Sequence, residues 1–132
     1  MSPPPVVVPL ALARAAYGVG TVFAPRGFLP LLGFHERELT PATRLWAGLF
    51  GVRELVLPAM LVSRRRDAGA LRLALGMAAA ADLGDALVAS RALVLGEGRS
   101  RAAAGLLASA LAGTAVAALA FRAVGQANAA EL

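Results

Sequence analysis

The sequence contains no cysteine and no lysine, and only eight of its residues are acidic. Without cysteine the chain can form no disulfide, no thiolate nucleophile and no cysteine-ligated metal centre. All thirteen basic residues are arginine, a usage typical of a GC-rich bacterial genome. The net charge is +5, but the arginines are dispersed between apolar runs, without a basic stripe or an aromatic platform. This pattern argues against a nucleic-acid partner.

Apolar residues, by contrast, are abundant. They make up 58% of the 132 residues, and the mean hydropathy of +0.69 is high for a soluble domain of this size. Four apolar segments, each near the ~20 residues that cross a bilayer as a helix, lie at roughly 5–24, 43–63, 68–93 and 102–124. Alternation of period two is absent, and backbone groups in lipid need internal hydrogen bonds. The sequence therefore predicts an all-α, integral membrane four-helix bundle.

The breaks between these segments carry turn and helix-start residues. A Pro-Arg-Gly run at 25–27 ends the first segment, and the connection after it predicts an interfacial loop or a short surface helix. The Thr-Pro pair at 40–41 predicts the start of the second helix, and the polar runs at 64–67 and 96–101 predict tight turns. We expect a single domain over residues 1–132 with a frayed tail at 125–132.

The membrane orientation is predicted from the distribution of arginine. The run at 64–66 is the strongest compact positive loop, and such loops face the cytoplasm. With four spans, both termini would then be cytoplasmic, and the protein would lie in the bacterial inner membrane.

Three of the predicted helices carry a polar stripe. At about 100° per residue each stripe occupies one face of its helix, so burying all three requires that they face one another. The second helix also has Gly48 and Gly51 on a neighbouring side, where another helix could approach closely. The fourth helix has only small residues in place of a stripe, at 105, 109 and 113, and is interpreted as scaffold. The stripes comprise Arg14, Tyr17, Gly18 and Thr21 on the first helix, Thr43, Trp46, Phe50, Arg53, Glu54 and Leu57 on the second, and Asp82 and Asp85 on the third.

The charged residues of these three helices balance in number: Arg14, Arg44 and Arg53 against Glu54, Asp82 and Asp85. A charge at the bilayer centre costs ~2.5–3.5 kcal/mol, so the six must pair or line a wet cavity. Measured from the turn at 64–67, the helical rise places Glu54 about 15 Å deep and Asp82 about 22 Å deep. This predicts a polar cleft from mid-membrane to the outer side, with Glu54 at its floor. In one interpretation these charges form ion pairs that hold the helices together. The expected pairs are Arg14 with Asp82, Arg44 with Asp85, and Arg53 with Glu54 or an aspartate.

The alternative interpretation is acid–base chemistry, since three carboxylates lie in the membrane without cysteine or a nearby histidine. Glu54 is the candidate proton donor, and Asp82 and Asp85 are its candidate partners, close enough on one helix to titrate together. Arg53 could orient the donor. Arg14, Arg44 and Arg53 are the charged residues that we expect to bind the substrate.

Aromatic residues of the stripes are candidates for contact with the substrate. Tyr17, Trp46 and Phe50 could face a developing carbocation, whose charge an aromatic ring attracts. The alternative is interfacial anchoring for Trp46 and plain packing for Phe50. The Asp82-x-x-Asp85 spacing is an incomplete version of a Mg²⁺-binding pattern, and no phosphate loop or dinucleotide fingerprint is present, so we expect neither a metal nor a cofactor.

The runs RAAYGVGTVFAPR, TRLWAGLFGVRELVLP and DLGDALVASR resemble a family of small four-helix bacterial membrane proteins of mostly unknown function. The likeness covers Arg14 to Arg91, and its motif is Gly-x-Arg-Glu followed by Asp-x-x-Asp on the next span. The same layout is similar to small bacterial membrane-bound terpene cyclases of indole-sesquiterpenoid and drimane-type meroterpenoid pathways. That resemblance implies that Glu54 protonates an alkene or epoxide of a lipid-like prenyl chain, assisted by Asp82 or Asp85.

Three hypotheses on function follow. The leading one is a membrane-bound terpene cyclase or isomerase, which takes a prenylated, lipophilic small molecule from the bilayer. The second is a small proton-coupled transporter or accessory membrane subunit, which would need a homo-oligomer because four helices are few for a transport path. The third is a structural or assembly protein with ion pairs as glue.

Overall fold

The computed structural model describes residues 5–96 and 100–130, and within these ranges the chain is almost entirely helical, without a strand. The all-α prediction is confirmed. Two 3₁₀ turns connect the second helix to the third, at Leu29–Leu32 and Glu36–Glu38. The α-helices are α1 (Val7–Phe23), α2 (Pro25–Phe28), α3 (Pro41–Ser63), α4 (Ala68–Leu95) and α5 (Ser100–Ala130).

Three of these helices, α3, α4 and α5, are long and apolar enough to cross a membrane. The first predicted span is different: α1 has 17 residues, and the chain bends by 115° into α2 and the 3₁₀ turn that follows. The bend has a local cause, because Ala24 precedes Pro25 and leaves the helical conformation, with φ −132° and ψ 48°. Within residues 5–96 and 100–130 the chain thus has three span-length helices, or four if this bent segment is one span.

Much of the apolar surface points outward. Within the apolar stretches of the three long helices only 17–33% of residues are buried inside the chain. Large apolar side chains such as Leu12, Leu73, Leu87 and Val88 are more than 60% exposed. Apolar side chains on the outside are stable in hydrocarbon and unfavourable in water, so these outer faces are suited to lipid.

Several helix ends follow the residues that predicted them. The Thr40 side chain accepts a hydrogen bond from the Thr43 N–H at 3.1 Å, and Pro41 occupies the first turn of α3, as expected. The predicted arginine turn joins α3 to α4, where Asp67 caps the new helix through its side chain. Gly96 ends α4 with a positive φ of 62°, a conformation in which glycine avoids steric strain.

The last helix is longer than the sequence suggested. The fourth span was expected to end near residue 124 and the tail to fray, whereas α5 continues through Ala130. Alanine has the highest helix propensity, and it is frequent in residues 123–130. Residues 131–132 lie outside the described ranges, as do residues 97–99 of the turn predicted at 96–101.

The four long helices form two pairs. Helix α1 packs along α3 and α4 packs along α5, whereas contacts between the pairs are sparse. The first pair crosses closely at two glycines: a Cβ on Gly18 would lie 2.8 Å from the Gly51 carbonyl oxygen. The predicted close approach at Gly51 is therefore confirmed. The one at Gly48 is wrong, because no atom lies within 4 Å of a Cβ built there.

An aliphatic core closes one end of the bundle. It lies at the end where α1 begins, the 64–67 turn reverses the chain and α5 ends, and all four long helices contribute to it. This core leaves the middle of the bundle to the polar stripes. Its buried residues are Val7, Leu10, Leu61, Leu71, Ala74, Leu75, Ala117, Ala120 and Val124.

The unequal surroundings of Gly48 and Gly51 predict different effects of one substitution. Gly51→Ala places a methyl group against Thr21 and the backbone of Gly18, so we expect the free energy of unfolding to fall by about 1–3 kcal/mol. Gly48→Ala is the matched control and should leave that free energy unchanged or raise it by up to about 1 kcal/mol. Denaturation of the purified protein in detergent micelles measures both. Equal stability of the two variants would contradict the helix crossing.

Candidate functional site

Side chains from three helices converge in the middle of the bundle. Arg14 of α1 lies between Glu54 of α3 and Asp82 of α4. Its Nη1 donates to Glu54 Oε2 at 2.8 Å, and its Nη2 donates to Asp82 Oδ2. All three residues are buried, with exposures of 4–6%. The prediction that the three polar stripes face one another is confirmed.

Arg53 extends this cluster along the boundary between α3 and α4. Its Nη2 donates to Glu54 Oε1 at 2.7 Å and to Asp85 Oδ2 at 2.6 Å, and its Nε donates to Glu54 at 3.1 Å. Arg53 Nη2 also lies 3.8 Å from Asp82 Oδ1. We call these five side chains the ion network: Arg14, Arg53, Glu54, Asp82 and Asp85.

The ion network is buried on one side and accessible on the other. The side chains of Arg14, Glu54 and Asp82 are 6% exposed, whereas those of Arg53 and Asp85 are each 30% exposed. The two accessible residues belong to α3 and α4 and bridge them, so the accessible side is the edge between these two helices. A molecule approaching from this edge would meet Arg53 and Asp85 first.

The arginines also explain how acids at different depths join one cluster. The helical rise put Asp82 about 7 Å above Glu54 in the bundle. Arg14 spans that offset because its planar guanidinium offers one Nη to each carboxylate. The acids are thus connected through Arg14, which contacts both Glu54 and Asp82.

The charges of the network do not balance. Two guanidinium groups pair with three carboxylates, which leaves one negative charge in excess. Arg44, the third cation expected here, is not part of it: Asp85 is held by Arg53, and among the described residues no ion pair includes Arg44. The predicted Arg44–Asp85 pair is wrong because Arg44 lies nine residues, or about 13 Å, along α3 from Arg53. The predicted pairs Arg14–Asp82 and Arg53–Glu54 are confirmed.

Two of the three predicted aromatic residues lie beside the ion network. The Tyr17 ring packs edge-on against Phe50 at 5.8 Å and against Phe28 at 4.9 Å, measured between ring centroids. The Arg53 guanidinium lies 4.4 Å above the Phe50 ring. The Tyr17 hydroxyl is buried and lies next to the Ser109 side chain of α5. These rings form an aromatic row from α2 to the network.

Trp46 lies elsewhere. Its side chain is 69% exposed, so the prediction that it faces the acids is wrong, and its exposure agrees with the alternative of an interfacial anchor. Trp46 is two turns from Arg53 on the same face of α3, but that face lies at the open edge, where α4 covers little of it.

The structure adds two residues that the sequence-based set missed. Gly113 of α5 lies against the buried ion pair: a Cβ there would lie 2.5 Å from Asp82 Oδ2 and 3.5 Å from Arg14 Nη2. The small residues of the fourth helix were the available signal, although they were interpreted as scaffold. Phe28 was missed because it lies outside the polar stripes, in the connection predicted as an interfacial loop or a short surface helix, and it ends the short helix α2.

A half-open cavity of about 810 Å³ lies at the other end of the bundle, where α1 ends and α3 and α5 begin. No residue of the ion network lines it, so it is not the predicted cleft, whose floor was placed at Glu54. Glu54 is packed between two guanidinium groups instead. Within the described part of the chain, no three acidic or histidine side chains come together as a set of metal ligands.

Comparisons of the chain with models of protein families, with curated proteins and with solved structures found no match. The fold defines an all-α protein with helices suited to a membrane. What the chain does must therefore be inferred from the ion network itself.

The shared guanidinium of Arg14 predicts a large effect on stability. Arg14→Gln leaves two buried carboxylates without their common partner, so we expect the free energy of unfolding to fall by about 3–5 kcal/mol. Arg44→Gln is the matched control, and we expect a change below about 1 kcal/mol. Denaturation in detergent micelles measures both. Similar losses in the two variants would contradict the assignment of Arg14 as the central partner.

Proposed function

We propose that the chain is an integral membrane enzyme that transfers protons between the ion network and a prenylated, lipophilic substrate. The reaction is an acid-initiated cyclisation or isomerisation, and the protein lies in the bacterial inner membrane with both termini cytoplasmic. The observation that carries the proposal is an ion network with an excess carboxylate, buried in a bundle of apolar helices and accessible at one edge.

The excess negative charge lets the network bind a proton before the reaction and stabilise a carbocation during it. An uncompensated carboxylate among apolar helices is costly, so the network favours a third positive charge. Before reaction this charge is a proton. After the proton has moved to the substrate, the positive charge is a carbocation near the carboxylates. The same imbalance thus supports proton donation and stabilisation of the intermediate.

The geometry favours Asp85 over Glu54 as the proton donor. Glu54 is buried, and both of its carboxylate oxygens accept hydrogen bonds from guanidinium groups, Oε2 from Arg14 and Oε1 from Arg53. Among the described residues Asp85 pairs with Arg53 alone, and its side chain is 30% exposed at the edge between α3 and α4. In this proposal Glu54 and Asp82 hold the arginines in place, and Asp85 meets the substrate.

The reaction conserves atoms. The proton forms a C–H bond at the terminal alkene as its π bond breaks, or an O–H bond at an epoxide as a C–O bond breaks. Another double bond of the same prenyl chain then attacks the carbocation that results. The final cation then loses a proton to the network, which regains the proton that it donated. Substrate and product are therefore isomers. The Phe50 and Tyr17 rings beside the network could attract the cation, and the apolar helices exclude water that would quench it.

A structural function is the second candidate, and a specific observation favours it. The two helix pairs contact each other sparsely, and Arg14 and Arg53 connect α1 and α3 to α4. In this alternative the network holds the pairs together and does no chemistry. A proton relay in an oligomeric transporter would use the same groups.

Acid catalysis predicts deuterium incorporation that depends on Asp85. We expect the protein in liposomes to convert a member of a panel of farnesyl- and geranylgeranyl-substituted alkenes into an isomer that carries one carbon-bound deuterium when the reaction runs in D₂O. Asp85→Asn should lower this rate by about 10²–10⁴-fold, the usual contribution of a general acid. Chromatography with mass spectrometry measures both.

Asp67→Asn is the matched control, because it makes the same chemical change at a helix cap outside the network, where asparagine also caps. Turnover by Asp85→Asn at the wild-type rate would remove the proposal. Loss of turnover with an equal loss in Asp67→Asn would point to damaged folding instead.

The structural alternative makes a different prediction for the same variants. If the network only holds the helix pairs together, Asp85→Asn lowers stability in micelles and no isomer forms with the wild type. A pH-sensitive dye inside the liposomes tests the relay: proton flux lost in Asp85→Asn would support the transporter, and absence of flux in the wild type would exclude it.

A further inference from the structure

A cavity of about 810 Å³ lies against the connection between α1 and α3. Its walls come from the segment 26–39 and from the first turn of α5, and its volume is in the range of small-molecule sites. It lies at the end of the bundle that the aliphatic core does not close. The lining residues are Arg26, Pro30, Gly33, Phe34, His35, Glu36, Leu39 and Arg101.

The charge of the lining favours an anion. Among the described residues that line the cavity, two guanidinium groups, from Arg26 and Arg101, and the imidazole of His35 accompany one carboxylate, that of Glu36. Guanidinium offers paired N–H donors that match the oxygens of a phosphate.

The walls of the cavity are held by close backbone contacts. Gly33 has a φ of 93°, and a Cβ there would lie 2.8 Å from the carbonyl oxygen of Arg101, so the connection packs directly on α5. A similar contact joins Gly105 to the Leu32 carbonyl. Further along, Glu38 Oε2 accepts a hydrogen bond from the His35 N–H at 2.8 Å. The backbone around the cavity is therefore fixed by close contacts.

The surroundings of the cavity favour a ligand with an apolar tail. Phe23 and Leu31, which flank the bend into α2, are 75% and 78% exposed. Exposed apolar side chains at the end of a span-length bundle suit the level where acyl chains meet headgroups. A phosphate in the cavity would thus lie at the membrane interface, with its tail toward the bilayer.

We propose that this cavity binds the phosphate headgroup of an amphiphile, with Arg26 and Arg101 as its anion-binding residues. The ligand is either a phosphorylated isoprenoid or a bilayer phospholipid, and both present a phosphate ester on an apolar chain. The proposal does not depend on the acid–base function, because no residue of the ion network lines the cavity.

Calorimetric titration of the purified protein in nonionic micelles tests the proposal. The probes are farnesyl phosphate, dioctanoyl phosphatidic acid, inorganic phosphate and the uncharged farnesol. We expect at least one of the two phosphorylated amphiphiles to bind about tenfold more tightly than farnesol, and the double variant Arg26→Gln/Arg101→Gln to lose that difference. Farnesyl phosphate as the tighter ligand would identify an isoprenoid, and phosphatidic acid as the tighter ligand would identify a bilayer lipid.

Two further variants keep the test independent of folding. Glu36→Gln removes the carboxylate of the lining, so it should tighten phosphate binding by about threefold, an effect that damage to the structure would not produce. Arg122→Gln removes an arginine near the far end of α5 and should leave binding unchanged. Wild-type affinity in the double variant would overturn the proposal, as would inorganic phosphate binding as tightly as the amphiphiles.

Discussion

Charged groups between apolar helices must be paired, and the architecture of this chain follows from how that pairing is made. Arg14 is the central group: it contacts acids on two other helices and is buried together with both. Because the helix pairs contact each other sparsely, these ion pairs supply much of the specific contact across the bundle. Gly113 has no side chain and so leaves room for the Asp82 carboxylate, which any side chain at this position would displace.

The bundle is layered along its axis. An aliphatic core fills one end, the ion network occupies the middle, and a half-open basic cavity lies at the other end. The aromatic row that begins at Phe28 and Tyr17 lies between the last two layers. This order suits an amphiphile, whose charged group and apolar chain need different surroundings. It also separates the two proposed sites, so that each can be altered without removing the other.

The helical period predicted much of the candidate site and also accounts for the errors. It correctly placed Arg14, Glu54 and Asp82 on facing stripes, because a 3.6-residue repeat fixes which side chains share a face. It failed for Trp46 and Arg44, which belong to the same helix as Glu54: the Trp46 side chain is exposed, and Arg44 forms no ion pair among the described residues. Periodicity predicts the direction in which each side chain points from its helix. Whether that side chain is buried depends on how far the neighbouring helix extends alongside it.

Composition and periodicity by themselves determined that this chain is all-helical, that its helices suit a membrane, and that three of them carry buried polar faces. These properties depend on local hydrogen bonding and on the apolar content of each segment, both of which are written in consecutive residues. Only the tertiary structure decided which ions pair, that the network retains an excess carboxylate, and that the basic cavity lies away from it. Those outcomes depend on the crossing points and relative heights of helices far apart in sequence, and no local pattern specifies them.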